Sequence, residues 1–511
     1  MGQGSFYITT PIYYVNDVPH IGHAYTTCAA DVLARYHRLL GEKVLFVTGT
    51  DEHGHKIEQA AEKAGLTPQE LVNQVVLRFQ DLWEKMNISY DDFIRTTEPR
   101  HVEVVQKFFS LLQERGYIYR GEYEGWYCVP CETFWPENQL DERLVCPDCG
   151  RSLERLKEES YFFALSRLEK PLLEYFESHP DLVMPESRFN EIVSFIRGGL
   201  KDQSISRRGV KWGIEVPGDP EHTIYVWFDA LINYLTAAGF SQDERRFSEF
   251  WSQVYHLVGK DILRFHAVLW PAMLQAANLP LPRRIFAHGW WTVEGEKMSK
   301  SRGNTVDPNR VIADYGVDRF RYFLMREVSF GLDGDFSERA LISRSDSDLS
   351  DNFGNLVHRT LNMVWKYFQG EVKKPAVYRD ELWEKTLEEA YSGFSFFFDR
   401  FAFAQVLENI WKLVHLGNRF IEQKAPWKLA KEGEKEELVR VLYRLLDCSR
   451  ILAVLVYPFL PGTASKLWKM IGMEGEISDF SLSSQISWEA GPDLYRVGKP
   501  VPLFPRIGDK K

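Results

Sequence analysis

The sequence predicts an α/β fold, a doubly wound parallel sheet split by an insertion and followed by a helical bundle. Three observations carry this. Residues 6–48 form a strand–helix–strand pattern, the same alternation resumes after Thr223, and strand signals vanish beyond about Leu341. At 511 residues the chain is too long for one core, so several domains are expected.

The elements follow in order. Phe6–Thr9 is a short apolar strand. From Ala24 to Leu40 the apolar residues Tyr25, Cys28, Val32, Tyr36 and Leu39 step by three and four, the spacing of one helical face, and Gly41 stops the run. Val44–Val47 reads as a buried strand ending at Gly49. Helix 68–86, strand 92–95 and helix 99–115 continue the pattern. Such units are right-handed and place ligands at the carboxyl ends of their strands. The alternation breaks near Gly116, where an aromatic stretch (117–127) leads into a cysteine cluster and then helices to about Arg197. It resumes with strand 224–227, helix 230–238, strand 255–258, helix 262–277 and strand 285–287. The expected domains are a split Rossmann-type half (1–115), a connective insertion (116–222) with a knuckle at about 125–152, the second half (223–290), a loop-and-linker domain (291–345) and a helical domain (346–511).

Composition excludes some classes and leaves others open. Fifteen tryptophans in the chain argue against disorder. A net charge of −10 supplies no global field for nucleic acid, so any RNA contact must rest on local patches and stacking. The N-terminal residues lack a secretory signal, and Phe6 fails the myristoylation pattern. No apolar run approaches the ~20 residues of a membrane span. A cytoplasmic protein without membrane contact is expected.

Four of the six cysteines fall in two Cys-x-x-Cys pairs, Cys128/Cys131 and Cys146/Cys149. Two such turns can aim four thiolates at one tetrahedral ion, which predicts one structural Zn²⁺ per chain; redox dithiols or disulfides are the alternatives. Two further strings point to phosphate chemistry. His20-Ile21-Gly22-His23 stands between a strand and a helix, where backbone N–H groups already favour anions. Lys297-Met298-Ser299-Lys300-Ser301 is a cationic loop flanked by Gly295 and Gly303. Together, His20, His23, Lys297 and Lys300 would grip a nucleotide triphosphate without a Walker loop.

These strings match the HIGH and KMSKS signatures, and the sequence resembles the class I aminoacyl-tRNA synthetases. Within them it is similar to the methionyl-tRNA synthetases, through residues 9–16, 49–54, 225–230 and 259–262. The resemblance implies two steps: ATP-dependent activation of L-methionine to methionyl-adenylate, then transfer to the 3′ end of tRNA(Met), initiator and elongator. Mg²⁺ would accompany ATP. His20, His23 and Lys300 would contact ATP, with Gly259 and Asp261 holding adenosine. Asp51 and the Ile12 carbonyl would meet the methionine ammonium. Tyr14, Trp227, Ala230, Leu231, Tyr234, Ile262 and His266 would form the pocket, with Arg207 orienting it. Asn355, Arg359, Pro426 and Trp427 would read the anticodon. The chain ends soon after Pro505, which leads to the expectation of a monomer. Another class I synthetase, or a HIGH-type nucleotidyltransferase, is the alternative.

Overall fold

The computed structural model describes residues 4–15, 18–131, 133–135, 140, 143–147, 149–293, 295–297, 305–376 and 380–508. Its centre is a six-stranded, wholly parallel sheet of β1 (Ser5–Tyr14), β2 (Lys43–Asp51), β3 (Asp92–Arg95), β4 (Val183–Met184), β5 (Val254–Gly259) and β6 (Arg284–His288). The strand order is 3-2-1-5-6-4. It runs outward in both directions from the junction of β1 and β5, which is the switch point where doubly wound sheets bind ligands.

Both faces of the sheet are buried, and the period of two assigns each residue its side. Phe6, Ile8, Phe46, Leu257 and Phe286 face one core with the helices Ile21–Leu39 and Pro68–Lys85. Tyr7, Leu45, Val47, Val258 and Ile285 face a second core under the helices Pro99–Glu114, Asn233–Ala238 and Trp270–Ala276. The first core runs on without a break into the C-terminal helices. Between Thr9 and Ile12 the β1–β2 register shifts by one extra residue on β1, a bulge that re-aims the end of the strand. Pro11 fits there because it has no ladder donor to lose.

The insertion contains a four-stranded antiparallel sheet, in which Ile118–Cys128 pairs with both Glu154–Phe163 and the short Thr133–Trp135. Farther on, Trp291–Val293 pairs with Glu296–Lys297 and with Gly334–Phe336. The helices Asn355–Phe368, Glu381–Phe398, Phe403–Lys424, Pro426–Glu432, Lys435–Val456 and Pro461–Met470 form the bundle. Among the described residues, no helix is long and apolar enough to cross a membrane.

Three local expectations change. The strand expected at 224–227 does not join the main sheet: Asp219–Ile224 belongs to a small antiparallel sheet, and Val226–Leu231 is helical. A short apolar run does not distinguish a buried strand from a buried helix, and the polar Asp229 that follows this one is hydrogen-bonded by His53 and His101 from distant segments. The expected helical stretch before Arg197 contains the strand Glu154–Phe163, whose charged first half hides its pairing. Strand β4, at two residues, is too short to show a period at all.

Candidate active site

A cleft of about 620 Å³ opens at the carboxyl ends of β1, β2, β5 and β6. It brings together His20, His23, Ile12, Tyr14, Asp51, Trp227, Ala230, Leu231, Tyr234, Gly259, Asp261, Ile262 and His266. Residues from four separate stretches of sequence thus meet where the strand order reverses.

The histidine pair is built into the helix start. His20 is the N-cap of Ile21–Leu39, and its Nδ1 accepts from the Gly22 N–H at 3.1 Å. His23 Nδ1 in turn accepts from the His20 N–H at 3.1 Å, and the two rings stack with centroids 3.9 Å apart. This is a capping box made of imidazoles. With both Nδ1 atoms accepting, each ring carries its proton on Nε2 and is neutral. Burial pushes both rings below the ordinary histidine value, and for His23 the neighbouring His20 adds to the effect. Gly22 is required by contact: a Cβ there would fall 2.9 Å from the His20 ring.

The far wall is aromatic and equally fixed. Trp227 stacks flat on Phe265 at 3.9 Å. His266 Nδ1 donates to the Ile262 carbonyl at 3.0 Å, so its Nε2 accepts from the Tyr234 hydroxyl at 2.8 Å. Burial lowers His266 to about 4, and the ring is neutral at physiological pH. A π-turn, Phe265–Leu269, sets this part of the wall in place of a regular helix, a device frequent at functional sites. At the third side, Gly259 ends β5, where a Cβ would lie 2.5 Å from the Asp261 carboxylate. The Trp290 indole donates to that carboxylate at 3.0 Å.

Arg207 stands one layer behind the cleft. It is buried, donates to the Ser204 hydroxyl and the Ser206 carbonyl, and lies 4.5 Å over the ring of Tyr225, which does line the cleft. Lys297 is described only in its backbone, paired opposite Thr292, and Lys300 lies outside the described residues. The chain on either side of the loop, Trp291 and Thr305, lines the cleft. Sequence reasoning missed Tyr13, Thr26, Lys56, Tyr225, His288 and Trp290, which also line it. Position at a strand's carboxyl end was the available signal for His288; Thr26 and Lys56 had none beyond their closeness to the motifs.

Two other groups lie away from the cleft. The sulfurs of Cys128, Cys146 and Cys149 all fall within 4.8 Å of one another, an arrangement able to hold a metal ion. The Cys128–Cys149 separation is 3.5 Å, far from the ~2.05 Å of a disulfide. It is near the roughly 3.8 Å that ~2.3 Å Zn–S bonds at tetrahedral angles require. Cys131 closes the turn Val129–Cys131, and its side chain lies outside the described residues. On the bundle, Asn355 is exposed at the start of Asn355–Phe368, with Arg359 one turn on and paired to Glu422 at 2.7 Å. Pro426 opens a short helix with Trp427 beside it, 42% exposed and so not a core residue.

Comparison with known proteins agrees along the whole chain. A family model of class I tRNA synthetases (M) matches residues 6–156 and 152–361, and one for the anticodon binding domain of methionyl tRNA ligase matches 378–510. The methionine–tRNA ligase of Caldanaerobacter subterraneus subsp. tengcongensis is 49% identical over 99% of this chain and 80% of its own length. That of Rickettsia bellii is 46% identical over 99% of both. The Mycobacterium tuberculosis methionyl-tRNA synthetase in complex with methionyl-adenylate superposes with a TM-score of 0.93 at 40% identity, covering 99% of this chain and all of the other. The chain belongs to the methionyl-tRNA synthetases, a family of class I tRNA synthetases.

Proposed function

We propose that the cleft activates L-methionine with ATP and passes the methionyl group to tRNA(Met). The observation that carries this is the meeting, in one switch-point cleft, of a donor pair at a helix start, a carboxylate at the end of β2 and an aromatic wall. Methionine's carboxylate oxygen attacks the α-phosphorus of ATP, a P–O bond forms, and the bond to the β-phosphate oxygen breaks with its electrons leaving on pyrophosphate. The 3′-terminal ribose hydroxyl of tRNA then attacks the methionyl carbonyl, and AMP departs. No enzyme nucleophile is needed, so the protein's part is positioning and charge stabilisation.

His20 and His23 would present their Nε2–H groups to the phosphate oxygens as neutral donors. Lys297 and Lys300 would meet the leaving pyrophosphate, which the placement of Trp291 and Thr305 at the cleft supports. Mg²⁺, entering with ATP, would neutralise phosphate charge. Gly259 and Asp261 would hold the adenosine, and Asp51 with the Ile12 carbonyl the ammonium. The thioether would lie among Tyr14, Trp227, Ala230, Leu231, Tyr234, Ile262 and His266, where sulfur gains from ring contact. Because His266 accepts a hydrogen bond from the Tyr234 hydroxyl, the polar ends of that wall satisfy each other and leave an apolar face. Arg207 would act through Tyr225. Cys128, Cys131, Cys146 and Cys149 would hold a structural Zn²⁺, which would lock the insertion's tip and take no part in the reaction. Trp427 and Pro426 would stack against an anticodon base, with Asn355 and Arg359 reading edges.

The test is ATP–pyrophosphate exchange with each of the twenty amino acids. Methionine alone should support it, and a different preferred amino acid would overturn the assignment. Trp427→Ala should lose tRNA charging while methionine-dependent exchange stays near that of the parent. Equal loss in both assays would make Trp427 a structural residue.

A further inference from the structure

Behind the wall of the cleft, three buried ionisable side chains meet. Asp229, in the helix Val226–Leu231, is fully buried. Its Oδ2 accepts from His53 Nδ1 at 2.7 Å and its Oδ1 from His101 Nε2 at 2.7 Å. His101 belongs to the helix Pro99–Glu114, and its Nδ1 lies 3.1 Å from the Thr236 hydroxyl. Among the described residues none of the three lines the cleft. A buried carboxylate is tolerated only when paired in this way. Burial works to raise the Asp229 carboxyl, but the two imidazoles outweigh it and keep it below its ordinary value, so it is an anion.

The sequence positions of these groups give the cluster its leverage. Asp229 stands between Trp227 and Ala230, and His53 stands two residues after Asp51. The backbone between Asp51 and His53 is pinned by a second set of contacts. The buried Glu52 accepts from Thr50, Arg95 and Thr97, its N–H donates to Thr96, and its carbonyl accepts from the Trp212 indole. Asp51 therefore sits next to a residue anchored to β3 and two from a residue anchored to the helix that carries Trp227.

We propose that Asp229 is a positioning residue for the amino acid: through His53 it fixes the carboxylate end of the pocket, Asp51, against the aromatic end, Trp227 and Ala230, while His101 anchors it to the layer beneath. This rests on the reading that Asp51 meets the methionine ammonium. A cluster that served stability alone would alter folding without favouring one substrate over the other.

The experiment measures KM for methionine and KM for ATP separately, by pyrophosphate exchange, on full-length His53→Asn, His53→Leu and Asp229→Asn. Asparagine restores a donor near the place of Nδ1, whereas leucine restores none. His53→Leu and Asp229→Asn should raise the methionine KM roughly 10- to 100-fold, the equivalent of one lost charge-assisted hydrogen bond, and leave the ATP KM as in the parent. His53→Asn should return most of that loss. A parallel rise in both KM values, no rise in either, or equal impairment in His53→Asn and His53→Leu would overturn the proposal. If Asp229→Asn does not fold, the His53 pair decides alone. Failure of the underlying reading looks different, because Asp51→Asn would then leave the methionine KM unchanged.

Discussion

A neutral imidazole and a protonated one are different tools in front of a triphosphate, and the backbone selects which is present. The N–H groups of Gly22 and His20 occupy Nδ1 of His20 and His23, so protonation of either ring must first break a capping bond. Both folded-state values lie below the unfolded ~6.5. The unfolded chain therefore takes up more protons as pH drops, and the stability these rings contribute is complete above about pH 6.5 and lost as pH falls below it. His20→Asn separates the two duties of the residue. Asparagine is a good N-cap, so the helix should survive, but the Nε2–H donor is gone. Adenylate formation should then fall by about 100-fold, the effect of ~2.7 kcal/mol or more of transition-state stabilisation. Exchange rates near those of the parent would show that capping is the whole role of His20. The motif itself was visible in the chain. The tautomer was not, because it depends on which backbone groups the fold aims at each ring.

The order of the insertion is expected to depend on its tip. Ile118–Cys128 and Glu154–Phe163 pair over ten positions, and the pairing ends where the cysteines gather. The small core there consists of Cys128, Cys146 and Leu153 with a few partly buried neighbours, too little apolar surface to stand alone. Structural zinc in isolated peptides is worth roughly 10–16 kcal/mol. Metal analysis should find close to one zinc per chain. Chelation should strip hydrogen-exchange protection from the cysteine end of the two strands and spare the main sheet. Unchanged protection after zinc is removed would show that the metal does not order the tip. The cysteine spacing alone raised the expectation of a metal site, since a Cys-x-x-Cys turn is a local structure, and the structure gathers Cys128, Cys146 and Cys149 there. The helix at Val226–Leu231 is the contrasting case: its apolar run fits either a strand or a helix, and the choice falls to partners on distant elements, His53 and His101.

The halves of the molecule are joined by a buried charge cluster that no local pattern announces. Asp31, on the helix that His20 caps, pairs with Arg35 at 2.8 Å and with Arg321 at 2.7 Å, all three buried. Arg321 also donates to the carbonyls of Met86, Pro458 and Phe459, so one guanidinium joins the catalytic sheet's helix to the bundle. Burial works to raise the Asp31 carboxyl, yet Arg35 and Arg321 outweigh it and hold it at about 2. Its contribution to stability is complete above the unfolded ~3.9 and lost as pH falls toward 2. Asp31→Ala leaves two buried guanidinium groups without their shared anion and should destabilise the protein by about 3–5 kcal/mol in urea unfolding. A loss under about 1 kcal/mol would mean that the carbonyls alone satisfy Arg321.

Local chemistry wrote much of this protein openly. The alternation of strands and helices, the cysteine pairs, the histidine string at a helix start and the lysine loop are short-range patterns, fixed by periods of two and 3.6 or by turn geometry, and they survive in a bare sequence. The convergence of β1, β2, β5 and β6 on one cleft was decided by strand order, whereas tertiary burial and packing decided the placing of Arg207 behind Tyr225, the neutral state of the histidines and the charges linking sheet to bundle. The strand pairings and the Asp31–Arg321 contact join residues hundreds of positions apart, and all of these energies exist only once burial has removed water from between the partners.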